Sequence, residues 1–389
     1  MSLPRTEYES RVQRARELVR ARGLDFLFVY FDEFNVMNGR YLTGWCPSVE
    51  RGAVVVSDCC EPFLVGGPEA GPYARLESAI TETVSSLVFM VPEEEYPMAD
   101  ILSFSQITGK YFHNRKIRKV GMVGINTVPY QIYSQLAREL GDAQIVDVTR
   151  EFERLRYVKS GWEMEMVANA YAAADEGFRQ LAENVSAGKR EYEAGAAAEH
   201  AALMAGCDGF SYRTIIGTAE RSIGIIPAAS DRIFRDGEIV IAGIAPRFNG
   251  YSATACAPVV VGGKPNETQQ KWTAEICEAL FLTRDAIRPG MTGREIDAVP
   301  RKFLRARGYG DYMPMPFVHS SGLCEYEKPF FGPSSDDVIK ENMVLCIDIA
   351  LFGAKEIPGI RVETGYRVTG NGVVAFSQRM ESTMRAHIR

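Results

Sequence analysis

One short stretch, Arg156-Tyr157-Val158-Lys159-Ser160, separates two kinds of hydrophobic pattern, and this change constrains the fold more than any other feature of the chain. Ahead of it, apolar runs of strand length alternate with helical periodicities. Residues 7–22 carry the pattern of a charged amphipathic helix. Residues 24–31, 52–57 and 62–67 read as buried strands, the last ending at the pair Gly66-Gly67. Residues 118–124, a helical stretch near 129–140 and residues 143–148 repeat the alternation. Helices alternating with near-continuous apolar strands predict an α/β domain over residues 1–155, built on a mostly buried sheet.

Beyond the change, longer helical periods take over at 160–185, 190–207 and 267–287. The third stops at Arg288-Pro289-Gly290, and Thr292 with Glu295 forms a capping-box pattern that opens a fourth helix. Strand patterns occupy 238–246, 253–262, 343–352 and 360–376, with Asn371-Gly372 as a hairpin turn in the last. Residues 156–389 are therefore expected to be α+β, with helices lying on an antiparallel sheet.

Composition narrows the function classes. At ~150 residues per domain, 389 residues suffice for two to three domains. Lys and Arg total 44 against 50 Asp and Glu, a net charge of −6, so a general nucleic-acid binder is not expected. The basic run Lys110–Lys119 reads as a solvated turn leading into a strand. No run reaches the ~18–20 consecutive apolar residues of a membrane span, and the first twenty residues lack an apolar signal core. Eight cysteines include no CxxC pair or zinc-ribbon spacing, so reduced thiols in a cytoplasm are expected. Only four histidines occur, His113, His200, His319 and His387, too few for a His-rich metal site.

Four pieces of the second half, in order, resemble the pita-bread fold of methionine aminopeptidase, aminopeptidase P, prolidase and creatinase. Arg156–Ser160 resembles that family's linker motif. Gly237-Glu238, then Asn249-Gly250-Tyr251, resembles its "GD…GY" strand pair. His319-Ser-Ser-Gly322-Leu323, then Glu327-Lys-Pro329, resembles "HGIGL…HExP". Met343-Val344 to Asp348, then Gly359-Ile-Arg361-Val-Glu363, resembles "GMV…E" and "GIRxE". The N-terminal domain is similar to the creatinase type through Tyr41-Leu-Thr-Gly-Trp45. The resemblance implies a pita-bread domain over 156–389, an N-terminal creatinase-like domain over 1–155, and a homodimer in which one subunit's N-terminal domain covers the other's site, with Arg51 as the contact.

The departures from the family pattern carry as much information as the matches. The family's peptidases hold two metals through Asp, Asp, His, Glu and Glu, and closely spaced metals need several carboxylates to offset their charge. Here the two Asp positions fall on Gly243 and Thr254, while His319, Asp348 and Glu363 occupy the other three. An upstream His shared by aminopeptidase P and creatinase aligns with Ile226, and the second His of "HGIGL…HE" aligns with Tyr326. Creatinase, which needs no metal, depends on that upstream His and on a Glu at what is here Cys256. Ectoine hydrolases are similar over Ile241-Ala242-Gly243, with Arg247 shortly after.

His319 is the candidate general acid/base, with Glu363 and Asp348 as carboxylates facing the same cavity. The ordinary alternative for Glu363 is an ion pair with Arg361 or Arg367. Arg361 and Arg247 are candidates to clamp a substrate carboxylate, and Tyr326 to reach the cavity. Cys256 and Cys346 are candidates for a nucleophile or a soft metal ligand, against the common role of Cys as a small packing residue.

Three functional readings remain open. The first is a hydrolase that cleaves a C–N bond of a small amino-acid-like substrate and needs no cofactor. The second is a mononuclear metallopeptidase holding one Zn, Mn or Fe through His319, Asp348 and Glu363. The third is a ligand-binding pseudoenzyme. A small-molecule partner is common to all three, with neither nucleic acid nor membrane.

Overall fold

Apolar strand runs of the first half assemble side by side, as their all-buried pattern requires. The computed structural model describes residues 3–91, 93 and 95–388. By its internal contacts the chain divides into two units, Met1–Arg156 and Tyr157–Arg389. In the first, strands β1 (Phe26–Phe31), β2 (Gly52–Val56), β3 (Phe63–Gly66), β4 (Thr83–Ser85), β5 (Lys119–Val123) and β6 (Gln144–Asp147) form one sheet in the order β4-β3-β2-β1-β5-β6. β1 pairs antiparallel with β2 and parallel with β5, so the sheet is mixed. Every residue of β1, Phe-Leu-Phe-Val-Tyr-Phe, is buried, as a strand covered on both faces should be. One face packs Phe28, Tyr30, Phe63, Met122, Ile132 and Leu136 into a single apolar cluster.

The second unit opens at Ser160, whose hydroxyl accepts the Glu163 N–H at 3.1 Å while the Glu163 carboxylate accepts the Ser160 N–H at 2.9 Å. That reciprocal cap starts the helix Gly161–Asn184. Helix Glu191–Met204 follows. Further on come Glu267–Ala286 and Gly293–Ala306, the latter with the expected Thr292/Glu295 cap.

The strands of this unit are β7 (Gly209–Phe210), β8 (Ile215–Thr218), β9 (Ile239–Ile244), β10 (Pro246–Phe248), β11 (Tyr251–Ser252), β12 (Ala255–Val260), β13 (Val318–Ser320), β14 (Glu327–Phe331), β15 (Val344–Phe352), β16 (Gly359–Thr369) and β17 (Gly372–Ala375). The main sheet runs β14-β13-β15-β16-β12-β9-β8, with β17 added on β16 across the Asn371-Gly372 turn; β11-β10-β7 form a small second sheet. All of these pairings are antiparallel. β7, β8, β11, β13 and β14 have no counterpart among the sequence-predicted strands. They are short, and the segment around β13, Met-Pro-Met-Pro-Phe-Val-His-Ser-Ser-Gly, has neither alternation nor length to announce a strand.

Candidate functional site

Strand register builds the site. Across β15, β16, β12 and β9, Asp348 pairs with Glu363, Glu363 with Cys256, and Cys256 with Gly243. Side chains two apart share a face, so Cys346, Arg361 and Thr254 lie on the face that carries this row. On β13, His319 stands opposite Cys346. Asp348, Arg361, Glu363 and His319 are each at most 4 % exposed. Four ionisable side chains inside otherwise apolar strands must be mutually compensated.

Arg361 supplies much of that compensation. Its Nε and Nη2 donate to Asp348 Oδ1 and Oδ2 at 2.8 and 2.7 Å, a two-pronged pair, and Nη1 donates to the Ile225 carbonyl at 3.2 Å. Nη2 also lies 2.7 Å from Glu363 Oε2. This last contact is an ion pair rather than an aligned hydrogen bond, and Glu363 Oε2 has no other partner among the described residues. Burial pushes the Asp348 carboxyl up to about 6, with the adjacent Arg361 charge pulling the other way. Glu363 is raised for the same reason, burial, again opposed by Arg361.

His319 sits between two carboxylates. Its Nδ1 lies 3.0 Å from the Ser320 carbonyl, an acceptor only, so this nitrogen carries a proton. Its Nε2 points to Glu363 Oε1 at 3.2 Å and to Glu325 Oε1 at 3.5 Å. Burial alone would lower the ring's pKa, but the Glu325 charge and the Glu363 hydrogen bond outweigh it and bring it to about 9. In these surroundings both nitrogens bear protons at neutral pH.

Glu325 is the residue that sequence reasoning passed over. It follows Gly322-Leu323-Cys324 on the loop after β13, is 4 % exposed, and accepts a hydrogen bond from Thr254 Oγ1 at 3.0 Å. The signal in the sequence was the run Cys-Glu-Tyr-Glu: two acidic residues two apart in an otherwise uncharged turn. Glu327, the other one, turns away to Lys159 at 3.7 Å in a second buried ion pair. Tyr212 was also missed. Its hydroxyl is buried with no hydrogen-bond partner among the described residues, and its pKa is raised by burial and by the charges of Glu325 and Glu363. Its ring packs on a wall formed by Ile215, Ile241, Cys256, Ala350 and Phe352.

The remaining candidates separate cleanly. Tyr326 is 43 % exposed, meets the His319 ring edge-on at 4.7 Å and stacks on Phe330. Arg361, expected at a substrate carboxylate, donates to Asp348 and to the Ile225 carbonyl and lies beside Glu363, so it compensates two buried carboxylates. Arg247 lies on β10 with its guanidinium beside Gly209. Arg51, at the edge of β2, belongs to the first unit. Ile226 is half exposed. Cys256 is fully buried, its Sγ 4.0 Å from the Arg361 carbonyl, and burial drives its thiol pKa upward. A Cβ at Gly243 would meet Cys256 Cβ and Sγ at 3.0 Å, so the glycine and the cysteine fill one space together.

Metal-ligating atoms converge on a set different from the one expected. His319, Glu325, Cys346 and Glu363, all buried, each offer one such atom, and these atoms lie within 4.8 Å of one another. Asp348 is displaced from the expected triad because Arg361 holds both of its oxygens.

With this geometry in view, comparison with known proteins is informative. Residues 165–370 match the model of the metallopeptidase family M24, and residues 11–158 match the creatinase/prolidase N-terminal domain. The Xaa-Pro dipeptidase of Pyrococcus furiosus is 29% identical over 301 residues, 76% of this chain and 84% of the relative. The solved prolidase of Pyrococcus horikoshii OT3 superposes with a TM-score of 0.81 at 23% identity, over 95% of this chain and 98% of that one. The X-Pro aminopeptidase of Thermotoga maritima superposes at 0.82 with 21% identity, over 94% and 97%. No helix among the described residues is long and apolar enough to cross a membrane.

Proposed function

The chain belongs to the metallopeptidase family M24 and is a hydrolase acting on C–N bonds; from that premise we propose that it cleaves such a bond in a small amino-acid-like substrate at a site without the family's dinuclear metal centre. The observation that carries this reading is the pairing of Arg361 with Asp348. Of the five positions that would hold two metals, Gly243 and Thr254 have no carboxylate, and Asp348 has both oxygens engaged by a guanidinium. A dinuclear centre does not fit these residues.

The chain's own groups supply the parts of a hydrolysis. Arg361 and the protonated His319 face Asp348, Glu363 and Glu325, so the cluster has one negative charge in excess and favours a cationic substrate nitrogen. His319 Nε2, held in place through Nδ1 on the Ser320 carbonyl, delivers a proton to the leaving nitrogen. Glu363 orients the attacking water and receives its proton. The apolar wall of Ile215, Ile241, Ala350 and Phe352 takes the substrate's hydrocarbon part, and Tyr326 and Tyr212 border it. The homodimer implied by the resemblance, with Arg51 at a partner's site, belongs to the same reading and is read out by light scattering of wild type and R51A.

The deciding experiment screens dipeptides, small amides and cyclic amidines against wild type and His319→Ala. Turnover of one class, lowered about 10²–10⁴-fold in the variant, supports the reading. Two tightly bound metals per active chain, or turnover untouched by His319→Ala, would sink it.

A further inference from the structure

Four donors of three chemical kinds meet at one buried point. His319 Nε2 stands 3.2 Å from Glu363 Oε1 and 3.5 Å from Glu325 Oε1, and Cys346 Sγ completes a group no wider than 4.8 Å. In a tetrahedral zinc site with bonds of 2.0–2.3 Å, neighbouring ligand atoms are roughly 3.3–3.8 Å apart. The His–carboxylate spacings lie close to that figure, and the Cys346 sulfur stands within 4.8 Å of the other donors.

The supports around the four donors are those a metal site needs. His319 Nδ1 is fixed by the Ser320 carbonyl, which aims Nε2 inward. Glu325 is held by the Thr254 hydroxyl and Glu363 is approached by Arg361, so both carboxylates have an outer partner. Outside the group, Cys346 Sγ lies 3.6 Å from the Tyr171 hydroxyl. Tyr171 comes that close because residue 365 is glycine: a Cβ there would overlap the phenol.

We infer that His319, Glu325, Cys346 and Glu363 form a site for a single thiophilic divalent ion of the zinc class. The set differs from the five-ligand pattern of the resemblance, because Glu325 and Cys346 stand at none of the positions occupied by Gly243, Thr254 and Asp348. The sulfur favours zinc over magnesium, manganese or calcium. Charge balances on binding: one ion with two positive charges enters, one proton leaves the imidazolium and one leaves the thiol, and the buried cluster keeps the same net charge. The inference rests on the reading above and uses the same atoms: with His319 Nε2 and Glu363 as ligands, neither the proton donor nor the water-orienting carboxylate of the hydrolysis is available, so the ion-loaded chain is a resting form and turnover belongs to the ion-free chain.

The test is spectroscopic. The full chain, purified without chelator, is expected to carry one zinc. After removal and replacement by cobalt(II) it should show the intense visible bands of a tetrahedral ion and a near-ultraviolet thiolate-to-cobalt band. Cys346→Ser should abolish the near-ultraviolet band, Cys256→Ser should leave it intact, and Glu325→Gln should weaken cobalt binding on the order of 10-fold or more. If Cys346→Ser does not fold, X-ray absorption of the zinc-loaded wild type must show one sulfur at about 2.3 Å beside nitrogen and oxygen ligands. A full chain that binds neither zinc nor cobalt, or that holds the ion in an all-oxygen shell, would overturn the inference and leave the hydrolytic reading standing. A cobalt–thiolate spectrum from a chain that turns over no substrate class even after the ion is removed would do the reverse.

Discussion

Two halves of one sheet make an instructive contrast. On β13, β15 and β16 the face that carries the site holds His319, Asp348, Arg361 and Glu363, all buried and charged in the arrangement described. On β12 and β9 the same face holds Thr254, Cys256, Gly243 and Ile241, and no charge. The two halves are continuous through the Glu363–Cys256 and Cys256–Gly243 pairs. The charged half survives because each carboxylate has a partner: Asp348 has Arg361, and Glu363 has Arg361 and His319. The uncharged half has closed up, with Cys256 packed against the space over Gly243. Where one link crosses the divide, it is Glu325 reaching from the charged side to the Thr254 hydroxyl. Buried carboxylates persist only with a compensating cation, and the half of the sheet without such charges is filled by small neutral side chains.

The largest expected effect tests whether chemistry is confined to the charged half. Glu363→Gln should reduce turnover about 10²–10⁴-fold, whereas Cys256→Ser, measured in the same steady-state assay, should stay within a few-fold of wild type. Comparable losses in both variants would erase the contrast.

Next in size is a stability effect. Arg361→Met leaves Asp348 and Glu363 without their shared cation and should destabilise the second unit by about 3–5 kcal/mol. Adding Asp348→Leu to it should recover part of that loss. Urea unfolding followed by fluorescence reads both, and an Arg361→Met chain of wild-type stability would show that the pair compensates nothing.

A smaller effect probes the closed half. Gly243→Asp forces a side chain against Cys256 and should cost roughly 1–3 kcal/mol, with Cys256→Ala in the same chain relieving it. If Gly243→Asp with Thr254→Asp instead folds normally and binds two metals, the two halves differ by two residues only and the packing argument fails.

The smallest effect is a titration. In metal-free protein, His319 should stay doubly protonated well past neutrality and lose its proton near the pKa of about 9. Because its folded pKa lies above the ordinary value of 6.5, its contribution to stability is complete below that value and disappears as pH rises through the folded pKa. Ring nitrogen NMR shifts against pH check this; a neutral ring at pH 7 would contradict the ion-paired geometry.

Much of this was legible in the residues. The break at 156–160 divides an alternating α/β pattern from long helices and antiparallel strands because hydrophobic period is a local property, written in each segment without reference to the rest. The long strands β9, β12, β15 and β16 announced themselves by length and apolar content, and the family resemblance singled out His319, Asp348 and Glu363, which the strand register brings onto neighbouring strands. β13 and β14 did not, since strands of three and five residues take their conformation from the neighbours they pair with.

The sequence by itself determined the two-part organisation, the pita-bread fold and the absence of charge at Gly243 and Thr254, all of which depend on residue type and local order. Only the tertiary structure decided what the surviving charges do. Whether Arg361 meets a substrate or Asp348, whether Glu325 or Glu327 turns inward, and whether Cys346 reaches His319 all depend on strand register and on which partner lies nearest across it. A buried charge takes the partner that the fold places within reach, and that distance runs through space between residues far apart in the chain.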